Sequence, residues 1–250
     1  MLNRIIPVLL IKNGVLVKTK RFRSPTYIGD PVNTLRIFNE READEIILLD
    51  ISKKNKKFEI NFDLISRAAT ECFMPLAYGG GVRTLSDFDR LFSCGIEKVA
   101  VNTLTQLNPS IVEKAADKFG NQAIIGSMDI IHSRLFGPML FNRELRRKKV
   151  SPADWAQRLE SMGVGEILVN SVDRDGTWLG FDKSLLASIV DSVSIPVIPL
   201  GGASGIDDLM ATLAELKSSA ISAGSMFVFQ KEGGGVLISY PDESERGIGI

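Results

Sequence analysis

Short apolar runs alternate with longer amphipathic ones along the whole chain. The strand candidates are IIPVLLI (5–11), EIILLDI (45–51), MPLAYGG (74–80), KVAVNT (98–103), AIIGSMDI (123–130), EILVNSV (166–172), PVIPLGG (196–202) and AISAGS (220–225). Between them lie PVNTLRIFNER, FDLISRAATE, LSDFDRLFSCG, PSIVEKAADKFG, SPADWAQRLESMG, DKSLLASIVDSV and IDDLMATLAELK, where apolar residues recur at three- and four-residue steps. Asp and Ser open several of these helices and Gly closes several. Strands that are apolar on both faces and alternate with helices make a buried parallel sheet. Eight such units in 250 residues fit an α/β fold of the closed (β/α)8 TIM-barrel type. The rival, an open doubly wound sheet, needs a phosphate loop after its first strand, and KNGVLVKTK is not GxGxxG.

An internal repeat supports the barrel. DEIILLDI resembles GEILVNSV, with Glu45 and Glu166 in matching places, and YGGGVRTLSDF resembles LGGASGIDDL, with Gly79 matching Gly201. The expected organisation is one domain over 1–250, made of half-barrels at about 1–120 and 121–229 with a divergent tail at 230–250. In that tail Gly233–Gly235 break any helix and VLISY reads like a strand, so an extended segment replaces the eighth helix.

Composition narrows the setting. Hydrophobic residues make up 44%, enough for a single core, and 30 basic against 30 acidic residues give no overall pull toward nucleic acid or anionic lipid. Cys72 and Cys94 form no metal or redox motif, which favours a reducing cytosol. The N-terminal apolar run is short, Lys12 follows it and no small-residue cleavage site comes next, so it is not read as a signal peptide. No stretch approaches the ~18 apolar residues of a membrane span. The expectation is a cytoplasmic protein without membrane or nucleic-acid partners.

In this fold, chemistry sits at the C-terminal strand ends. Gly79-Gly80-Gly81 ends strand 3 and Gly201-Gly202 ends strand 7; strand 4 ends in Asn102-Thr103 and strand 8 in Gly224-Ser225. Glycines let backbone N–H groups approach an anion. They also serve plain tight turns, but two repeat-related clusters, each beside a hydroxyl residue, favour a ligand with a phosphate at each end. Asp129 ends an apolar strand, where an unpaired carboxylate is costly, and is the leading general acid or base. Asp50, ending strand 2, is a weaker candidate. Asp173 and Asp175 in DRDGT can bind hydroxyls, act as acids or simply make a turn. At the opposite ends, Arg4, Glu45, Lys98 and Glu166 can meet in a ring of two cations and two anions, although charges on that face usually serve stability. His132, the only histidine, reads as a solvated loop residue, and with two distant cysteines it makes no zinc site. The run RELRRKKV (143–150) reads as a solvated basic segment. Trp155 reads as packing and Trp178 as a residue of the mouth.

These stretches, from RIIPVLLIKNG through GDP (29–31), DEIILLDI, YGGGVRT, KVAVNT, SMDI, GEILVNSVDRDGT and GGAS to AGSMFVF, resemble the cyclase subunit of imidazole glycerol phosphate synthase over about residues 3–229. The resemblance implies a glutaminase partner and ammonia-dependent cyclisation and cleavage of a bis-phosphorylated ribulosyl aminoimidazole carboxamide ribotide, without metal or cofactor. It implies that Gly81, Asn102 and Thr103 hold one phosphate and Gly202, Gly224 and Ser225 the other. Asp50 and Asp175 fall among the substrate contacts, Lys18 lies on a mobile loop after strand 1, and Asp129 is one of two catalytic acids. It also turns the Arg4/Glu45/Lys98/Glu166 ring into an ammonia gate. The other catalytic acid is absent: Leu10 stands at its place. In this the chain resembles a second-copy type of the subunit, found with surface-polysaccharide genes and thought to pass ammonia to a separate sugar-amidating enzyme. Three readings therefore stay open: a working cyclase, a non-cyclising ammonia conduit, and an isomerase relative that uses no ammonia.

Overall fold

The computed structural model describes residues 3–52, 59–142, 146–148 and 150–246. Eight parallel strands form its centre: β1 (Arg4–Lys12), β2 (Ile46–Asp50), β3 (Leu76–Gly79), β4 (Lys98–Val101), β5 (Ile124–Ser133), β6 (Glu166–Ser171), β7 (Val197–Leu200) and β8 (Ala220–Ala223). Parallel ladders join β8 to β1 and then each strand to the next as far as β7, with Ile5 beside Ile221, Leu10 beside Leu49, Tyr78 beside Val99 and Asn170 beside Asp129. At the remaining seam the Ser222 hydroxyl donates to the Pro199 carbonyl at 2.7 Å and Ser218 to Val197 at 2.6 Å. Proline has no N–H to offer a ladder, and the serines link the two strands there.

The seven longer helical patterns form helices where the periodicity predicts them, and two short helices, Thr103–Leu107 and Ser225–Val228, follow the ends of β4 and β8 unpredicted. Pro31–Glu40 starts on Asp30, whose side chain accepts from the Asn33 amide, and Leu85–Ser93 starts on a Thr84/Asp87 capping box. Their apolar stripes, such as Leu35 and Phe38 or Phe88 and Leu91, face the strands and make the larger core. The barrel interior is a second, smaller core: Ile6, Val8, Ile47, Ala77, Ala100, Ile125, Leu168, Ile198, Leu200 and Ala220. Strand alternation then sets which neighbours also face inward: Arg4 and Leu10 on β1, Asp129 on β5, Glu166 and Asn170 on β6.

Three regions differ from the sequence expectation. The segment after β1, read as a loop, is an antiparallel hairpin of Val15–Lys20 and Arg23–Gly29. Asn13 and Gly14 both have positive φ, 53° and 83°, and join Lys12 directly to Val15; this Asn-Gly signal of a two-residue turn is legible in KNGV. Strand β5 runs on through His132 and returns as Gly137–Asn142, so His132 sits on a strand rather than in a loop. Of RELRRKKV, 143–145 and 149 lie outside the described residues, while Arg146–Lys148 pairs antiparallel with Leu140–Asn142 as a short strand.

In the tail, β8 leads into a four-residue helix, Ser225–Val228, and VLISY makes an isolated bridge from Val236 to Phe229 rather than a strand. Tyr240 is buried with its ring against Phe38 and Phe227, where it covers core left open by the missing helix. Residue 247 onward lies outside the described residues. No helix among the described residues is long and apolar enough to cross a membrane.

Candidate functional site

At the N-terminal ends of the strands the four charged residues do meet. Arg4 bonds Glu45 through one guanidinium nitrogen and Glu166 through the other. Lys98 Nζ closes the ring, 3.0 Å from both Glu45 oxygens and 2.9 Å from Glu166 Oε2. Each carboxylate thus takes both cations and the formal charges cancel. Glu45 is 1% exposed, whereas the Arg4 and Lys98 side chains keep a quarter and a sixth of their surface in solvent. Burial alone would lower the Arg4 pKa; the hydrogen bond and charge of Glu166, with Glu45, outweigh it and hold the guanidinium charged. Directly above the ring the sleeve is apolar, from Ile6 and Ile47 to Leu168 and Ala220. Neutral ammonia crosses such a sleeve at far less cost than ammonium, whose charge must shed its water.

At the other end the inward positions are split. Asp129 is polar and half-buried, and Asn102 Nδ2 donates to its Oδ2 at 2.9 Å. The Asn102 carbonyl oxygen faces Gln106 Nε2 at 3.3 Å. The Asn102 side chain is therefore turned toward Asp129 and orients the acid. Thr103 follows at the start of a short helix, Thr103–Leu107. By strand order β1 lies opposite β5, and there Leu10 sits in register with Leu49 and with Val17 of the hairpin. One wall of the mouth carries an acid and an amide; the facing wall is hydrocarbon.

Two residues that sequence reasoning passed over belong to the polar wall. Ser127 is buried on β5, two positions below Asp129. Asn170 is 7% exposed, in register with Asp129, and its Oδ1 has no hydrogen-bond partner among the described residues. The available signal was a polar residue at an inward position of a buried strand.

Both glycine turns are closely built. At φ 128° a Cβ on Gly80 would lie 2.5 Å from the Asp50 carbonyl oxygen, and at φ 107° one on Gly202 would lie 2.2 Å from that of Gly180. Only glycine fits either place. Gly81 follows with φ 75°. Asp50 turns away from the inward set of β2 and accepts from the Ser52 amide at 2.8 Å. Here it shapes the turn under Gly80. Buried beside it, the Tyr78 phenol is pushed well above its ordinary pKa, first by burial and then by the Asp50 charge.

Lys18 stands in a strand of the hairpin, with 7% of its surface exposed, rather than on an open loop. Its Nζ is 2.6 Å from Asp175 Oδ1 and donates to the Thr19 carbonyl at 2.8 Å. Its side chain crosses Gly224, whose Cβ would lie 2.9 Å from Lys18 Cε, and Ser225 follows at the next position, itself buried. Arg21 adds two bonds, its amide to the Asp175 carbonyl and its Nε to the Asp173 carbonyl, each at 2.9 Å. The hairpin is thus clasped over the mouth onto DRDGT, and Asp175 is the anchor of the clasp. Asp175→Ala leaves a buried ammonium without its counter-ion, and such breaks cost about 3–5 kcal/mol when fully buried. The hairpin can leave without unfolding the barrel, so the expected result is local: hydrogen exchange across 15–29 at least about ten-fold faster and unchanged exchange in β4–β6.

His132, at the edge of the mouth, is exposed, with Nε2 3.5 Å from Asp182 and its backbone amide 2.6 Å from Asp173. Trp155 is buried against the core and Trp178 is half-buried beside the clasp. The described residues hold no group of three or more His, Cys, Asp or Glu suited to a metal ion. Burial raises the Cys72 thiol pKa to about 11, which leaves it an inert core group at neutral pH.

Comparison with known proteins places this architecture. A family model described as "Histidine biosynthesis protein" matches residues 4–232. A Pseudomonas aeruginosa protein, provisionally named imidazole glycerol phosphate synthase subunit hisF2, is 47% identical over 247 residues, 98% of each chain. A Leptospira interrogans protein named in the same provisional way as subunit HisF is 39% identical over 97% of this chain and 96% of its own length. A Vibrio vulnificus protein, provisionally named subunit hisF3, is 37% identical over 98% of this chain and 95% of its own.

Proposed function

Since this chain belongs to the histidine biosynthesis protein family and aligns over nearly its full length with members named as imidazole glycerol phosphate synthase subunits, we propose that it is the synthase subunit of a glutamine amidotransferase pair, taking ammonia through its floor but not closing an imidazole ring efficiently. A glutaminase docks on the floor and releases ammonia against the Arg4/Glu45/Lys98/Glu166 ring. Opening the ring admits the neutral molecule to the apolar sleeve, and it emerges between Asp129 and Leu10. The two glycine turns, with Thr103 and Ser225, receive the phosphates of a doubly anionic ligand, and Lys18, paired with Asp175, lies beside the second turn.

The observation that carries the reading is Leu10, on the inward face of β1, at the place the resemblance assigns to the second acid. Cyclisation must move protons on and off nitrogen and oxygen, and Asp129, held by Asn102, serves only one side. General acid–base help is worth about 10²–10⁴ in rate, and a hydrocarbon side chain provides none. The ammonia therefore goes to another acceptor, for which amidation of a surface-polysaccharide sugar by a separate enzyme is the fitting reaction class. The test is a cyclase assay with the bis-phosphorylated ribotide and ammonium salt. Turnover about 10²–10⁴ below that of a two-acid cyclase agrees with the reading; turnover equal to it overturns the reading in favour of a working cyclase.

A further inference from the structure

The tail that replaces the last helix does more than cover the core. The Tyr240 oxygen accepts from the Asp44 amide at 3.1 Å and lies 2.9 Å from the Ile5 carbonyl and 3.0 Å from Asp44 Oδ2. The same Asp44 carboxylate accepts from the Ile5 amide at 2.8 Å and is paired with Arg246. Ile5 is the residue after Arg4 and Asp44 the residue before Glu45, so one phenol and one guanidinium tie together the backbone beside two members of the floor ring. Beyond Tyr240, the Asp242 side chain accepts from Ser244 and from the Glu245 amide, and the Arg246 amide bonds the Asp242 carbonyl. That self-capped turn presents Arg246, 8% exposed, toward Asp44 with its guanidinium 5.6 Å from the centre of the Tyr240 ring.

We infer that Tyr240 and Arg246 are positioning residues of the gate: through Asp44 and Ile5 they fix the relative placement of Arg4 and Glu45 and so keep the ring closed at rest. Arg4 needs such help. Its two ring partners come from β2 and β6, on different sides of the barrel, and its side chain is the more exposed of the two cations. A tyrosine hydroxyl at hydrogen-bond distance from three backbone or carboxylate atoms is an over-determined anchor; burial and the Asp44 charge hold the phenol protonated, well above its ordinary pKa, so it stays in place across the physiological range. A change in the tail therefore reaches the ring through a single intervening residue on each side. A partner seated on the floor would find tail and gate on the same end of the barrel, and could shift one by touching the other. This deepens the proposed function and rests on it only for the word gate.

The experiment uses the full chain with Tyr240→Phe, which keeps the aromatic packing and deletes the hydroxyl, and separately Arg246→Gln, which changes only the end of the tail. Nitrogen-15 spectra of the Arg4 guanidinium report ring closure, because a side chain bonded to two carboxylates rotates slowly and keeps separate Nη signals. The expected result in both variants is exchange of the Arg4 Nη protons and of the Ile5 amide at least about ten-fold faster, with Leu10 and Leu49 at the mouth unchanged. Unchanged Arg4 signals, or a loss of protection spread evenly through the barrel, would overturn the inference. Neither readout depends on a glutaminase or on any substrate. Failure of the ammonia reading leaves this result standing, and failure of the brace leaves that reading intact.

Discussion

Replacing Leu10 by aspartate should raise ammonia-dependent ring closure by about 10²–10⁴, the worth of one well-placed general acid or base. The barrier falls by about 3–5 kcal/mol on that scale. The position is ready for it: β1 carries residue 10 inward, half-buried, in register with Leu49 and Val17. These apolar neighbours would raise the pKa of a new carboxyl group, which suits a residue that must donate a proton near neutrality. Leu10→Asn is the control, since it brings similar size and polarity without a titrating proton. A gain with aspartate alone would mean that the rest of the machinery, Asp129 and both glycine turns, is intact. Equal, negligible rates in both variants would mean that the mouth has diverged beyond the one acid.

The second large effect is on stability. Lys98→Met removes one of two cations from the ring and leaves Glu45, 1% exposed, with Arg4 alone. Breaking a buried ion pair on one side costs about 3–5 kcal/mol. Lys98 keeps some solvent contact, so about 2–3 kcal/mol is the expected loss, a fall in Tm of about 4–12 °C for a domain of this size. Adding Glu45→Gln to Lys98→Met restores neutrality and should recover part of the loss. Calorimetry of the single and double variants checks both statements. Additive losses would mean that the ring members do not interact.

The parts of this molecule that follow from local rules were readable in the sequence. Strands apolar on both faces, helices of 3.6-residue period and the repeated glycine turns each leave a local mark, and the structure forms them where the pattern falls. The ring of Arg4, Glu45, Lys98 and Glu166 was readable for a different reason: Arg4, Lys98 and Glu166 open their strands and Glu45 immediately precedes β2, so alternation brings them to one layer. What escaped was set by contacts between distant segments. Lys18 and Asp175 are each ordinary in a loop, and only the folding of one hairpin onto another turn makes them a buried pair. The Asn13-Gly14 turn was a missed local signal rather than a hidden one. Tyr240 finds Asp44 and Ile5 across nearly the whole chain, a link that no window of sequence contains. The tail lacks helical pattern, and that was legible; its role as a brace was not, because it depends on which backbone atoms the barrel floor happens to present.

Entry of ammonia through the floor is the claim on which the functional account turns. It is tested most directly by supplying amide-nitrogen-15 glutamine to the chain with a candidate glutaminase, in excess unlabelled ammonium, and reading by mass spectrometry the isotope in whatever cyclised product forms. The ratio does not depend on how slow that residual reaction is. The account predicts product carrying mainly the glutamine label in the native chain, shifting toward the bulk ratio in Lys98→Met. Product with the bulk ratio in the native chain would contradict it.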